Sequence, residues 1–147
     1  ASEITFILPL SNRQYWLQLA ESFADGVDAN IVFENELESL PGDRSIWVLG
    51  KNNRFAVNVS SQIASFDSDI GNASINIAGQ EVEFSDRSSV LVARHPNNVD
   101  LAIGWIGIDD MIAVPGMVEK LPHYGKYSYL SFVGSEPTND IKGVWSS

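Results

Sequence analysis

Cysteine is absent from the 147 residues, and with it go disulfides, thiolate zinc sites and a cysteine nucleophile. Only two histidines are present, which disfavours a self-contained imidazole metal site. Basic residues are scarce as well: nine Lys and Arg stand against nineteen Asp and Glu, a formal charge of -10. A surface of that sign repels phosphate backbones and anionic lipid, so nucleic-acid and membrane-surface roles are disfavoured. Solubility is the plain reason for such a bias. No apolar run approaches the roughly 18 residues that span a bilayer, and no signal-peptide pattern is visible. A lack of cysteine does not fix the compartment.

What is present is enough for one folded unit. The apolar fraction is 44% and the aromatic fraction 10%, which exclude whole-chain disorder. A chain of this length buries roughly 68–70% of its extended surface without needing staples, and it reads as a single domain, 1–147. The first residues, Ala1-Ser2-Glu3, lack an initiator Met, and the tail Ile141 to Trp145 stays apolar nearly to its end. The expectation is a fragment of a larger protein.

Periodicity predicts the elements. Ile4 to Leu8 is a buried-type strand closed by Pro9. Ser11 is placed to cap a helix through about Ala24, with Tyr15, Trp16, Leu19 and Phe23 as its apolar face. Ala29 to Phe33 and Ser45 to Leu49 read as strands separated by a turn at Leu40-Pro41-Gly42-Asp43. Asn52 or Asn53 then caps a second helix with Phe55, Val59, Ile63 and Phe66 on one side. Ala73 to Ile77 and Glu81 to Phe84 form a small hairpin. Ser89 to Ala93 and Leu101 to Ile106 pair antiparallel across His95-Pro96-Asn97-Asn98. Asp109 caps a third helix, Asp110 to Leu121, which Pro115 is expected to break. A loop from His123 to Lys126 leads to a last strand, Tyr127 to Val133. Strands apolar on both faces, alternating with amphipathic helices, predict a three-layer α/β/α sandwich around a mixed, mostly parallel sheet.

Catalytic templates fail one by one. His95 precedes Pro96 and His123 precedes Tyr124, so there is no His-Glu-x-x-His zinc helix. No Gly-x-Ser-x-Gly elbow, dinucleotide fingerprint or phosphate-binding P-loop occurs. Asp67-Ser68-Asp69-Ile70-Gly71-Asn72 begins like a calcium loop, but its glycine is one position early and Ala78 stands where the bidentate Glu belongs. The expectation is a domain with no catalytic, metal or cofactor site of its own. Two loci remain. Gly50, Lys51, Asn52 and Asn53 join a buried strand to a helix, where free amides can hold an anion. Gly107 and Asp109 make a similar crossing, with a carboxylate where an anion would sit. Both are also what any strand-to-helix turn requires. The second locus is the aromatic and cationic stretch containing His123, Tyr124, Lys126 and Tyr127, which is either an interface anchor or an ordinary helix-to-strand connection.

The segments Ser45-Ile46-Trp47-Val48-Leu49-Gly50-Lys51-Asn52-Asn53 and Val90 to Trp105, with its His95-Pro96-Asn97-Asn98 turn, resemble the small Rossmann-like domains appended to secreted bacterial hydrolases. Lys120 to Leu130 is similar to the C-terminal region of some M1-type zinc aminopeptidases. The resemblance spans roughly residues 45 to 133 and contains no zinc-binding helix. It implies a non-catalytic accessory domain serving scaffolding, substrate access or association. Its partner would be the catalytic domain of the same polypeptide, a zinc metallopeptidase, and its location periplasmic or secreted, with a cytoplasmic one still open. The residues alone leave two further readings: a stand-alone small-ligand or anion-binding module at the strand ends, and a protein-interaction domain using the His123–Tyr127 loop.

Overall fold

The computed structural model describes residues 3–146. In chain order the elements are β1 (Ile4–Leu8), α1 (Arg13–Ala24), β2 (Ala29–Phe33), β3 (Ser45–Leu49), α2 (Ala56–Ile63), β4 (Asp69–Ile70) and β5 (Ser74–Ile77). There follow β6 (Gln80–Glu83), β7 (Arg87–His95), β8 (Asn98–Ile108), α3 (Val114–Lys120), β9 (Tyr129–Val133) and β10 (Thr138–Gly143). Among these residues no helix is long and apolar enough to cross a membrane.

Seven strands form one mixed sheet in the order β10-β9-β7-β8-β3-β1-β2. The half running from β2 to β8 is parallel, and the half from β8 to β10 is antiparallel. A second, three-stranded sheet, β4-β5-β6, is antiparallel throughout. Its predicted hairpin turns on Ala78 and Gly79, both at positive φ, the handedness that matches the twist of two-residue hairpins. The two-residue β4 was too short to be read from pattern.

Alternation along the central strands divides the core in two. Phe6 and Leu8 of β1 join Trp16, Leu19 and Ala20 of α1 and Val114 and Met117 of α3. Ile7 between them points the other way and joins Phe55, Val59 and Ile63 of the α2 region with Ile75, Ile77 and Val82 of the small sheet. This is the period-2 consequence of pleating. It explains why the central strands carry apolar residues on both faces rather than at every second position only.

Several local expectations need correction. Helix α1 starts at Arg13, and the residue before it, Asn12, has left-handed backbone and makes no capping bond, so Ser11 is not the cap. Tyr15 lies off the buried stripe at 43% exposure, and Ala20 takes its place. The third helix is in three pieces: a 3-10 turn at Met111–Ala113, α3, and a second 3-10 turn at Leu121–Tyr124. Asp110, not Asp109, accepts the N–H of Ile112 to start it. Pro115 breaks nothing, because it stands in the first turn of α3, where its missing N–H is not needed. His123 sits in the second 3-10 turn, and β9 starts at Tyr129 rather than Tyr127.

Strand β10 was not anticipated, since Thr-Asn-Asp-Ile-Lys-Gly lacks β-branched alternation. It is an edge strand with every second residue exposed, the composition edges tolerate. It is held from two directions. Arg87 on β7 donates to both carboxylate oxygens of Asp140 at 2.8 Å, a fork that raises the guanidinium pKa above its ordinary value despite partial burial. Beyond the strand, Trp145 stacks on Phe66 with centroids 4.9 Å apart and donates its indole N–H to Val92 O at 2.7 Å.

Two buried hydroxyls among the described residues have no partner, Thr5 Oγ1 and Ser88 Oγ. Thr5→Val keeps the side-chain shape and removes a desolvated polar group, so it should stabilise the fold by about 1 kcal/mol. The readout is the urea midpoint, and a fall instead of a rise would mean the hydroxyl is engaged.

Candidate functional site

In the sheet order, β1 lies between β2 and β3, so the chain leaves β1 in one direction and returns to sit on its other side. Crevices at the carboxyl ends of such strands are the usual ligand seats of open α/β sheets. A cavity of about 200 Å³ opens there, and Pro9, Asn12, Gly50, Lys51, Asn52 and Asp109 contribute to its wall. Four of the six strand-end residues singled out from sequence therefore come together. Asn53 and Gly107 do not line it.

Gly50 is needed for its backbone. Its φ is 101°, and a Cβ would come within 2.8 Å of the Pro9 ring, so a side chain would be strained in conformation and in space. Its N–H donates to Ile106 O at 2.8 Å, and its carbonyl accepts the indole N–H of Trp105 at 3.0 Å. Gly107 is buried against the rings of Trp105 and Phe84.

Asn53 is buried and bonds at all its usable positions. Its Nδ2 donates to Ile7 O at 3.0 Å and to Leu49 O at 2.9 Å, while Oδ1 accepts the N–H of Phe55 at 2.9 Å. One side chain thus ties the end of β1 to the end of β3 and holds the turn into α2. Amides flanking the turn are engaged as well. Glu34 Oε1 accepts the N–H of Arg54 at 3.0 Å, Oε2 accepts that of Leu10 at 3.3 Å, and the N–H of Ala56 goes to Asn53 O. The carboxylate of Glu34 thus sits beside the turn that leads into α2, in a separate hollow it shares with Leu10 and Arg54. Sequence reasoning missed Glu34 because it belongs to no motif and reaches this turn from the end of β2.

Lys51 lays its ammonium over the Phe84 ring at 4.7 Å, and Asn52 is exposed. Asp109 braces a neighbouring turn, with Oδ2 accepting the N–H of Asp86 at 2.8 Å. The calcium-like segment is likewise committed: Asp69 accepts from Asn76, and Ser68 Oγ accepts the N–H of Ala78. No group of three or more metal-ligating side chains forms among the described residues.

His95 is buried at 1% exposure. Its Nδ1 accepts the N–H of Asn97 at 3.1 Å, so Nε2 carries the proton and donates to Pro41 O at 2.8 Å. Nδ1 thus closes the β7–β8 turn on itself, and Nε2 joins it to the 40–44 turn.

The second locus lies toward the opposite end of the sheet, on the face covered by α1 and α3. His123 and Lys126 are exposed, Tyr124 and Tyr127 half-buried. Tyr124 meets Phe132 edge-on at 5.2 Å and tilts against Tyr127 at 6.1 Å. Both tyrosines wall a cavity of about 390 Å³ whose lining is entirely uncharged. The sequence had flagged this loop for its composition, but the space beneath it depends on where α1 ends and was not legible.

The chain matches no protein-family model, and no curated protein matches it significantly. Fold and site together define an α/β domain with a mixed seven-stranded sheet, a small polar crevice at the strand ends and a larger apolar cavity beside the 121–127 turn.

Proposed function

We propose that the chain is a non-catalytic accessory domain, of three-layer α/β/α type with the third layer part helix and part β, that works beside a hydrolytic catalytic domain of the same polypeptide. The peptidase character of that partner, and an exported location, rest on the resemblance of residues 45 to 133 to domains appended to secreted hydrolases. One observation carries the non-catalytic part of the reading. The polar side chains best suited to chemistry are consumed by the fold itself, Asn53 at the strand ends on both amide atoms and His95 at the opposite end of the sheet on both nitrogens. A general base or nucleophile needs an uncommitted lone pair within reach of substrate. The strand-end crevice is the weaker seat for an anionic ligand, because its own wall carries the Asp109 carboxylate.

The purified chain should give no zinc-dependent hydrolysis of a panel of aminoacyl 4-nitroanilides above a heat-denatured control. Turnover that appears with zinc and disappears with a chelator would overturn the reading. The coding sequence beside this segment should contain a His-Glu-x-x-His motif. An open reading frame confined to these residues would remove the hydrolase from the proposal.

A further inference from the structure

We propose that the cavity beneath the 121–127 turn binds a small free amphiphilic carboxylate, with the apolar body in the cavity and the acid group held at its mouth by Lys126 and Lys142. This is independent of whether the chain accompanies a hydrolase.

The cavity is built on the sheet. Phe6 of β1, Trp47 of β3 and Val92 of β7 are among the strand residues lining it, while Phe23 of α1 and Tyr124 and Tyr127 wall its sides. Trp47 can lie across β8 only because its neighbour there is Gly104, where a Cβ would overlap the indole ring. A floor of strands keeps its shape better than a floor of loops. At about 390 Å³ the space falls within the roughly 300–1,000 Å³ of small-molecule pockets, which are mostly apolar with a few placed polar groups.

The charge at the mouth selects the head group. In a chain of net charge -10, none of the nineteen acids lines this cavity. The ammonium groups beside Tyr127 belong to Lys126, at 5.4 Å from the ring centroid, and Lys142, at 5.7 Å. Both lysines are exposed, and neither takes part in an ion pair among the described residues. Two acids adjoin lining residues away from Tyr127 in the chain, Glu3 next to Ile4 and Asp28 next to Val27, and Glu3 is already paired with Arg44 at 3.0 Å. Two uncommitted cations over one tyrosine at the edge of an uncharged hollow complement an anion with an apolar tail. They do not suit a cation or a neutral polar solute.

Isothermal titration with decanoate, decanol and acetate tests this on the intact chain. Decanoate should bind saturably, and acetate should not. Decanol, and decanoate with the Lys126→Glu/Lys142→Glu variant, should each bind about tenfold more weakly, the loss of a charge-assisted contact. Val92→Phe, which fills the cavity, should abolish binding. Both lysines are exposed, so the double variant keeps the test sound even if Val92→Phe misfolds. Equal binding of decanoate and decanol would overturn the head-group assignment, and no binding of either would overturn the site. Concentration-dependent dimerisation lost in Val92→Phe, without ligand binding, would assign the cavity to a second copy and overturn the proposal.

Discussion

Asn53→Asp should lower the unfolding free energy by about 3–5 kcal/mol, because a donor to two buried carbonyls becomes an acceptor facing them. Ile7 O and Leu49 O now receive the amide hydrogens of Asn53. A carboxylate would leave both without that donor and would bring a desolvated charge to the ends of β1 and β3. Domains hold only about 5–15 kcal/mol in reserve, so this single-atom exchange should take a large part of it. Asn53→Leu should cost less, about 2–4 kcal/mol, since it orphans the same carbonyls without burying a charge. Urea melts of the two variants supply the comparison. If Asp proves no worse than Leu, the site is wetter than its burial indicates.

Trp105→Ala should cost a similar amount, about 4–5 kcal/mol, for a different reason. The side chain is wholly buried, tilts against Phe84 with centroids 6.3 Å apart, and donates to Gly50 O. Truncation opens a cavity on the face that holds α2 and the small sheet, a cost typical of large aromatic deletions, and leaves the Gly50 carbonyl with only the longer bond from the Asn53 N–H at 3.3 Å. Trp105→Phe restores most of the volume but not the donor, and should recover about half of the loss. Chemical denaturation followed by far-ultraviolet circular dichroism suits both variants, since the other tryptophans confuse fluorescence. A Phe variant as unstable as the Ala variant would assign the loss to the hydrogen bond rather than to packing.

Strands β1, β2 and β3 could be read in the sequence at their observed limits: β1 and β3 are mostly apolar runs closed by Pro9 and Gly50, and β2 is a β-branched run set off by Asp28 and Glu34. The antiparallel pairing of β7 and β8 was equally legible from the short turn between them. What escaped notice was structure imposed by neighbours. β10 is polar and becomes a strand because β9 offers it a ladder, and β4 exists only as the border of a hairpin. Pro115 was misread because its effect depends on where α3 starts, a boundary set by tertiary packing rather than by local pattern. At the strand ends the sequence correctly marked Gly50 to Asn53 as a turn that positions polar groups. It did not disclose that Asn53 points inward or that Glu34, distant in sequence, sits beside the turn into α2. Hydrogen-bond direction and long-range partners have no one-dimensional signature.

The switch of polarity at β8 has a consequence for dissecting the molecule. One edge of β8 runs alongside β3 and the other against β7, so the strand belongs to both halves at once. Severing the chain anywhere between Leu49 and Arg87 would strip β3 in one piece, and β8 in the other, of the ladder they share. Each piece would then carry a raw, oily border with unpaired amides and a strong tendency to aggregate. The β5–β6 turn lies off both borders, but its Ala78 and Gly79 amides are tied to Ser68 and Asp67, so extra residues spliced in there would loosen the small sheet and leave the large one intact.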